Sequence, residues 1–282
     1  MAIALAINLV LVVAGVAGAI LFDSVALLAD AGHVLSDVAA IALGLLAAFL
    51  ASRPAKGRRT FGFHRTEILA ALLNGLVLVG VAVLVFVESI GRLSNPPDVE
   101  GGGVIAIGVL GLVGNVAATI ALAAGDRRDL NLEAILRPSA ADAVGSLGVV
   151  VSGAIVLATG WGYADPIAGI AIGVLILAGS VGLVREAFDV LMEAAPAGLD
   201  VQEIGQAMAA VHGVREVHDL HVWTVTSGFP ALAAHVRVSP DEDVDEVRAR
   251  VEAVLHDRFE INHTTLQTMP EKLLTLEDRR RS

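Results

Sequence analysis

The feature that most constrains this chain is a set of six apolar segments, each about as long as a membrane is thick. A helix needs about 20 apolar residues to cross the hydrocarbon core of a bilayer. Turn-forming groups such as Asn95-Pro96-Pro97 separate the segments. The sequence therefore predicts six spanning helices, over residues 2–22, 25–51, 66–92, 103–124, 133–159 and 165–188.

The composition agrees with a membrane protein. Hydrophobic residues make up 55% of the 282 positions and charged residues only 17%, with a mean hydropathy of +0.73. Residues 2–22 lack the basic start and small-residue cleavage site of a signal peptide, so we expect them to form the first spanning helix. The chain has no cysteine, which excludes disulfides and thiolate ligands. Any metal site must therefore use His, Asp, Glu and backbone or water oxygens.

The distribution of basic residues predicts the orientation. The loop between the second and third segments is rich in arginine and lysine, and the loop between the fourth and fifth contains Arg127 and Arg128. By the positive-inside rule these loops face the cytoplasm, and so do both termini. We expect a multi-pass protein of the cell's inner (plasma) membrane, in contact with lipid. The net charge of −11 disfavours nucleic acid as a partner.

The last third of the chain has the texture of a soluble domain. We predict a transmembrane domain over residues 1–192 and a cytoplasmic domain over residues 193–282. Within the latter, Asp200 is suited to cap a helix. The predicted elements are a helix over 200–211, strands over 217–226 and 231–238, a helix over 241–259 and a strand over 264–268. This αββαβ order predicts a small α+β sheet with two helices on one face.

Ionisable side chains inside the apolar segments point to a function. Asp30, His33 and Asp37 interrupt the second segment, and Asp142 lies in the fifth. Burying such groups in a bilayer costs several kcal/mol each unless they line a polar path or bind something. His33 and Asp37 are four residues apart, so they share one face of a helix. We predict that they bind a divalent cation together with Asp142; hydrogen bonding between helices is the alternative. Water, Ser139 or Asp30 would supply a fourth ligand.

Four motifs in order along the chain resemble the cation diffusion facilitator family, and the resemblance covers nearly the whole chain. It is closest to the zinc, cadmium and cobalt branch of bacterial members. The motifs are Leu28-Ala-Asp-Ala-Gly-His33-Val-Leu-Ser-Asp37, Arg59-Thr-Phe-Gly-Phe-His64-Arg-Thr-Glu67, Asp142-Ala-Val-Gly-Ser146 and His218-Asp-Leu-His221-Val-Trp223.

The resemblance implies a fold and an activity. It implies six transmembrane helices, a cytoplasmic ferredoxin-like domain, a homodimer and proton-coupled export of divalent metal. The transport site would contain His33, Asp37 and Asp142. Zinc-type members have a second His-x3-Asp pair in the fifth helix, whereas the residue four before Asp142 is Pro138. Proline has no side-chain ligand and removes a helix hydrogen bond, so one of the four expected ligands is missing.

The resemblance also implies metal sites outside the membrane. A cytoplasmic site would use His218 and His235, but Met269 stands near the position where relatives often have a carboxylate. We expect His218 and His221 to lie on opposite faces of a strand. His64, in the basic loop, is a candidate for a peripheral metal. Surface or interface histidines are the alternative for all three candidates: His64, His218 and His235.

The predicted function is export of divalent cations, foremost Zn²⁺, in exchange for protons. The ion is cargo and a candidate regulator rather than a cofactor, and Cd²⁺, Co²⁺ and Ni²⁺ suit the same donors. The protein is then a secondary transporter and not an enzyme. Two alternatives stay open: a metal-sensing membrane scaffold with impaired or no transport, and an intramembrane metallohydrolase. The latter is disfavoured because the sequence has no His-Glu-x2-His motif.

Overall fold

Six long helices fill the N-terminal two thirds of the chain. The structure is a computed structural model that describes residues 2–123 and 132–270, with side chains over 5–120 and 142–270. The helices are α1 (Ala2–Leu21), α2 (Val25–Ala51), α3 (Thr66–Ser94), α4 (Gly101–Ala123), α5 (Leu132–Thr159) and α6 (Ala164–Leu191). The six predicted segments are confirmed as helices. Among the described residues, five helices, α2 to α6, are long and apolar enough to span a membrane, and α1 contributes the shorter apolar helix Leu5–Leu21.

The chain divides into two compact units. Residues 1–50 and 69–185 form the first, which we call the membrane unit. Residues 51–68 and 186–282 form the second, the soluble unit. The segment between α2 and α3 therefore belongs to the soluble unit, although it lies between two spanning helices in the sequence.

The membrane unit has a core of small and branched apolar residues, including Ala26, Leu27 and Val104. Many larger apolar side chains, such as Leu84 and Val87, point outward. Outward-facing apolar surface is expected where lipid is the solvent. Close helix approach depends on glycine at positions such as Gly15, where an added Cβ would lie 2.8 Å from the Cβ of Ala31.

The beginning of α2 is fixed by the Asp165 side chain of α6 and by Ser24, the residue before α2. Asp165 of α6 accepts hydrogen bonds from the Ser24 hydroxyl, at 2.5 Å, and from the Val25 amide, at 2.7 Å. The Ser24 hydroxyl also accepts from the Leu27 amide, at 3.1 Å. Two side chains thus satisfy amide groups that have no partner within the helix. This anchors the helix that carries His33.

The soluble unit contains the predicted αββαβ fold. Its elements are α7 (Val201–Ala209), β1 (Val214–Thr226), β2 (Phe229–Val238), α8 (Val244–Phe259) and β3 (His263–Pro270). The strand order is β1-β2-β3, with β1 antiparallel and β3 parallel to β2. Asp200 caps α7 through the Gln202 amide, at 2.8 Å, as predicted. Helix α8 begins later than expected because Asp243, and not Asp241, is its N-cap.

One core joins both helices to one face of this sheet. Ile204 of α7 and Val251 of α8 pack with Leu232 and Val236 of β2, and all four are almost fully buried. The opposite face of the sheet carries His218, His221 and His235.

Segment 51–68 packs against the soluble fold through aromatic and polar contacts. The ring of Phe61 lies 5.7 Å from that of His263, and the ring of His64 lies 6.0 Å from that of Phe229, both edge to face. The Thr226 hydroxyl donates to the Glu67 carboxylate at 2.7 Å. Arg65 pairs with Glu193 at 3.0 Å.

Candidate metal centre

Helices α2 and α5 bring together the three residues that the sequence predicts as cation ligands. The nearest ligand atoms of His33, Asp37 and Asp142 all lie within 4.8 Å of one another. Nε2 of His33 lies 2.9 Å from Oδ1 of Asp142. This is the only group of three or more potential His, Asp or Glu ligands that the described residues form.

The local fold explains the convergence. His33 and Asp37 are one helical turn apart, so both project from the same side of α2. Asp142 projects from α5 toward them. The side chains of His33 and Asp142 are 24% and 20% exposed, so the site is recessed but accessible. Nδ1 of His33 is buried and has no hydrogen-bond partner within the described part of the chain.

These donors fit a borderline divalent cation. One imidazole nitrogen and two carboxylates are ligands typical of Zn²⁺, which takes about four in a tetrahedron. Pro138 lies within the bounds of α5, but its side chain and that of Ser139 are outside the described residues. Asp30, the other candidate for a fourth ligand, is not part of the converging group and faces Ser146.

The cytoplasmic histidines form a looser arrangement. His218 and His235 are cross-strand partners, with ring centroids 5.1 Å apart and planes at 83°. Nε2 of His235 lies 4.0 Å from the Asp219 carboxylate. Nε2 of His218 is buried and has no hydrogen-bond partner among the described residues. The β3 residue in register with His235 is Gln267, and Met269 is in register with Arg237, so the described part of β3 places no carboxylate beside the pair.

The expectation that His218 and His221 lie on opposite faces of β1 was wrong. The register shifts between them: His218 pairs with His235, and His221 pairs with Ala233. Asp219 adopts a left-handed backbone, with φ of 54°. This bulge adds one residue to the strand and reverses the alternation, so both histidines lie on the same sheet face. His221 instead bonds Asp219, at 3.1 Å.

His64 does not meet other ligands among the described residues. Its ring packs edge to face against Phe229, and it belongs to no group of three His, Asp or Glu side chains there. The contact favours a role in packing segment 51–68 onto the soluble fold.

Two family models cover nearly all of the chain. Residues 1–192 match the cation efflux transmembrane domain, and residues 196–271 match the cation efflux protein cytoplasmic domain. The chain belongs to the cation efflux family. Membership makes this protein a multi-pass membrane transporter of cations and not an enzyme, and it agrees with the helical and α+β parts of the fold.

Several relatives of this cation efflux protein are similar over most of their length. The metal cation efflux system protein CzcD of Cupriavidus metallidurans is 37% identical over 269 residues, covering 94% of this chain and 84% of that protein. The zinc transporter ZitB of Escherichia coli is 38% identical over 254 residues, covering 89% and 81%. The cadmium, cobalt and zinc/H⁺-K⁺ antiporter of Bacillus subtilis is 35% identical over 258 residues, covering 90% and 83%.

A solved structure also matches part of this cation efflux protein. It is the metal-bound C-terminal domain of the CzcD transporter from Cupriavidus metallidurans, 35% identical, covering 25% of this chain and 99% of that domain, with a TM-score of 0.25.

Proposed function

We propose that this protein exports divalent metal cations, foremost Zn²⁺, in exchange for protons, and that His33, Asp37 and Asp142 hold the cation within the membrane unit. The observation that carries the proposal is the convergence of three ligand atoms within 4.8 Å in an otherwise apolar helical bundle. Cd²⁺ and Co²⁺ suit the same donors, as does Ni²⁺. Relatives named as zinc and as cadmium, cobalt and zinc transporters support this choice of cargo.

The contact between His33 and Asp142 supports exchange with protons. A hydrogen bond at 2.9 Å between an imidazole nitrogen and a carboxylate oxygen requires a proton between them. A metal ion that binds these atoms must displace that proton, because ligands coordinate in their deprotonated form. Proton and metal therefore compete for the same atoms, which is the requirement for antiport.

The remaining parts of the proposal concern assembly and orientation. We propose a homodimer in the inner membrane, with both termini and the domain over residues 193–282 in the cytoplasm. The basic loops support the orientation. The match to the cation efflux cytoplasmic domain supports a regulatory or assembly role for that region, and His218 and His235 are its candidate metal ligands.

Zinc flux into proteoliposomes tests the proposal. Protein oriented with its cytoplasmic face outward should accumulate Zn²⁺ when the lumen is acidic, and the lumen should become more alkaline as it does so. Asp37→Asn, which keeps the shape and removes a charged ligand, should abolish both signals. Asp98→Asn is a matched control, because Asp98 lies in the loop between α3 and α4.

Each outcome separates this proposal from the other readings. Flux that is absent from the unchanged protein, or that persists in Asp37→Asn, would overturn it. Zinc binding measured by calorimetry without flux would favour the metal-sensing scaffold. Metal-dependent cleavage of a peptide or lipid would favour a hydrolase, a result that would conflict with membership of the cation efflux family.

A further inference from the structure

A chain of buried hydrogen bonds ends on Asp30, one helical turn before His33. The Asn115 side-chain amide of α4 donates to the Ser146 hydroxyl of α5, at 3.2 Å. That hydroxyl in turn lies 3.3 and 3.4 Å from the two oxygens of Asp30, to which it donates. Ser146 is fully buried, and Asn115 and Asp30 are 7% and 9% exposed. Because the Asn115 amide donates to the Ser146 oxygen, the Ser146 proton can point toward Asp30, the arrangement that suits a carboxylate acceptor.

Two glycines keep space for this carboxylate. A Cβ added at Gly111 would lie 3.3 Å from one oxygen of Asp30, and a Cβ added at Gly145 would lie 3.3 Å from the other. The cavity beside Asp30, between α1, α2 and α4, measures about 10 Å³. That volume holds at most about one water molecule. The surroundings therefore accommodate the carboxylate itself and leave no room for a hydrated ion.

The charge of Asp30 has no fixed counter-charge nearby. The described side chains of α1, α2, α4 and α5 include no lysine or arginine. They do include three carboxylates, on Asp30, Asp37 and Asp142, and one histidine. Charges act over longer distances inside an apolar bundle than in water, and carboxylates in such places are ordinarily paired. A doubly charged cargo ion at the triad supplies the missing positive charge.

We infer that Asp30 sets the affinity of the site for divalent cations through its charge, without ligating the ion. The inference rests on the proposed function, because it assumes that the ion binds at His33, Asp37 and Asp142. Ser146 and Asn115 hold the carboxylate in place. Asp30 lies one turn of α2 from His33, and Ser146 lies one turn of α5 from Asp142. A cation at the triad is attracted by three negative charges while it contacts only two of them.

Isosteric substitution separates charge from shape. Asp30→Asn keeps the size of the side chain and an oxygen that accepts from Ser146, but removes the charge. Ser146→Ala removes the hydrogen bond and keeps the carboxyl group. All variants are made in the full chain with His218→Ala and His235→Ala, so that the cytoplasmic pair does not contribute to binding. Affinity is measured with Co²⁺ in detergent, by titration followed through the visible absorption of the bound ion.

Asp30→Asn should weaken Co²⁺ binding roughly tenfold or more, since a buried charge acts strongly on a doubly charged ion. Its Co²⁺ spectrum at saturation should match that of the parent, because the ligands are unchanged. Ser146→Ala should weaken binding less than Asp30→Asn does, because the carboxyl group remains. Equal affinities for Asp30→Asn and the parent would overturn the inference. An altered spectrum in Asp30→Asn would also overturn it, because Asp30 would then be a ligand. An equal loss of Co²⁺ affinity in Ser146→Ala would overturn it as well, because the network would then act only through structure.

Two further variants keep the result interpretable. Asp142→Asn tests the proposed function alone: if the parent binds no Co²⁺, or Asp142→Asn binds it equally well, the triad is not the site, whatever Asp30 does. If Asp30→Asn is not monodisperse, Asn115→Asp adds a negative charge to the same network instead. That variant should bind Co²⁺ several-fold more tightly, and unchanged or weaker binding would contradict the inference.

Discussion

His33 in the membrane unit and His235 in the soluble unit are both candidate metal ligands, but their surroundings differ. His33 shares its site with two carboxylates, one of them in hydrogen-bond contact at 2.9 Å. His235 faces another imidazole, and its nearest carboxylate, on Asp219, is 4.0 Å away. The first site is recessed in a largely apolar bundle, where the side chains of His33 and Asp142 are 24% and 20% exposed. The second lies on the sheet face opposite the soluble-unit core, where the side chain of His235 is 36% exposed.

The difference predicts two kinds of metal binding. Charged ligands without a fixed counter-charge are neutralised either by protons or by the metal ion. That alternation suits a site that must fill and empty. A pair of imidazoles whose nearest carboxylate is 4.0 Å away offers an ion no closely placed charged ligand, which is suited to sensing.

The largest effect should come from exchanging the two histidines for alanine in turn. His33→Ala should lower the initial rate of zinc flux by at least about 100-fold, above the 10–100-fold that loss of a supporting outer-shell group costs. His235→Ala should leave the rate near that of the unchanged protein. Comparable losses in the two variants, measured in proteoliposomes at limiting Zn²⁺, would remove the distinction between the sites.

Zinc should stabilise the soluble unit through His218 and His235. A ligand at 100 times its dissociation constant adds about 2.7 kcal/mol to the free energy of unfolding. In a thermal melt of the full chain, the soluble-unit transition should rise with Zn²⁺ and lose that response when both histidines are alanine. His221→Ala is the control, since its side chain is 67% exposed and bonds Asp219. A response that survives the double change would assign zinc binding elsewhere.

Restoring a fourth ligand should tighten the membrane site. Pro138→His places an imidazole one helical turn before Asp142, the spacing that His33 and Asp37 have on α2. The zinc concentration for half-maximal flux should fall about tenfold, equivalent to about 1.4 kcal/mol of binding. The soluble-unit response to zinc should not move. A rise in the half-maximal concentration would show that Pro138 itself is required for the geometry of the site.

The hydrogen bonds of Ser24 and Asp165 at the start of α2 should affect stability and not affinity. Asp165 is fully buried, whereas Asp37 is only partly buried. Asp165 accepts hydrogen bonds from the Ser24 hydroxyl and the Val25 amide. Ser24→Ala should lower the free energy of unfolding by about 1 kcal/mol, the usual cost of a lost cap. The zinc concentration that gives half-maximal flux should be unchanged. A shift there would mean that the start of α2 is coupled to the cation site.

The smallest effect concerns pH and the soluble unit alone. The hydrogen bond from Arg250 to Glu242, at 2.6 Å, and the neighbouring His212 hold the pKa of Glu242 below its ordinary 4.5. Since the folded pKa is the lower one, the stabilisation is present above pH 4.5 and is lost as the pH falls through the folded value. Melting temperatures of the protein and of Glu242→Gln should converge in acid. A difference that does not shrink there would refute this origin.

The sequence predicted those features that follow from long, uniform patterns. Apolar runs of about 20 residues have one solution in a bilayer, so the six helices agree with their predicted bounds to within three residues. The spacing of His33 and Asp37 likewise placed both on one side of α2. Asp142 reaches both side chains because it lies at a similar depth in α5, a helix that faces α2.

What escaped prediction depends on single residues or on contacts between distant ones. The left-handed backbone at Asp219 reverses the alternation of β1, and periodicity contains no sign of it. Asp165 caps α2 across 140 residues of sequence, a contact that no local pattern indicates. Asp30 was weighed as a ligand because it is acidic and close in sequence; its actual neighbours, Ser146 and Gly111, come from two other helices.

The packing of segment 51–68 on the soluble fold has a practical consequence for anyone who studies the C-terminal region alone. A fragment that starts at Glu193 would leave the rings of Phe229 and His263 without Phe61 and His64. Solubility, self-association and metal affinity measured on such a fragment would then partly reflect this uncovered aromatic patch. Supplying residues 52–67 as a separate peptide should suppress the artefact, since the missing half of the interface would be returned in trans.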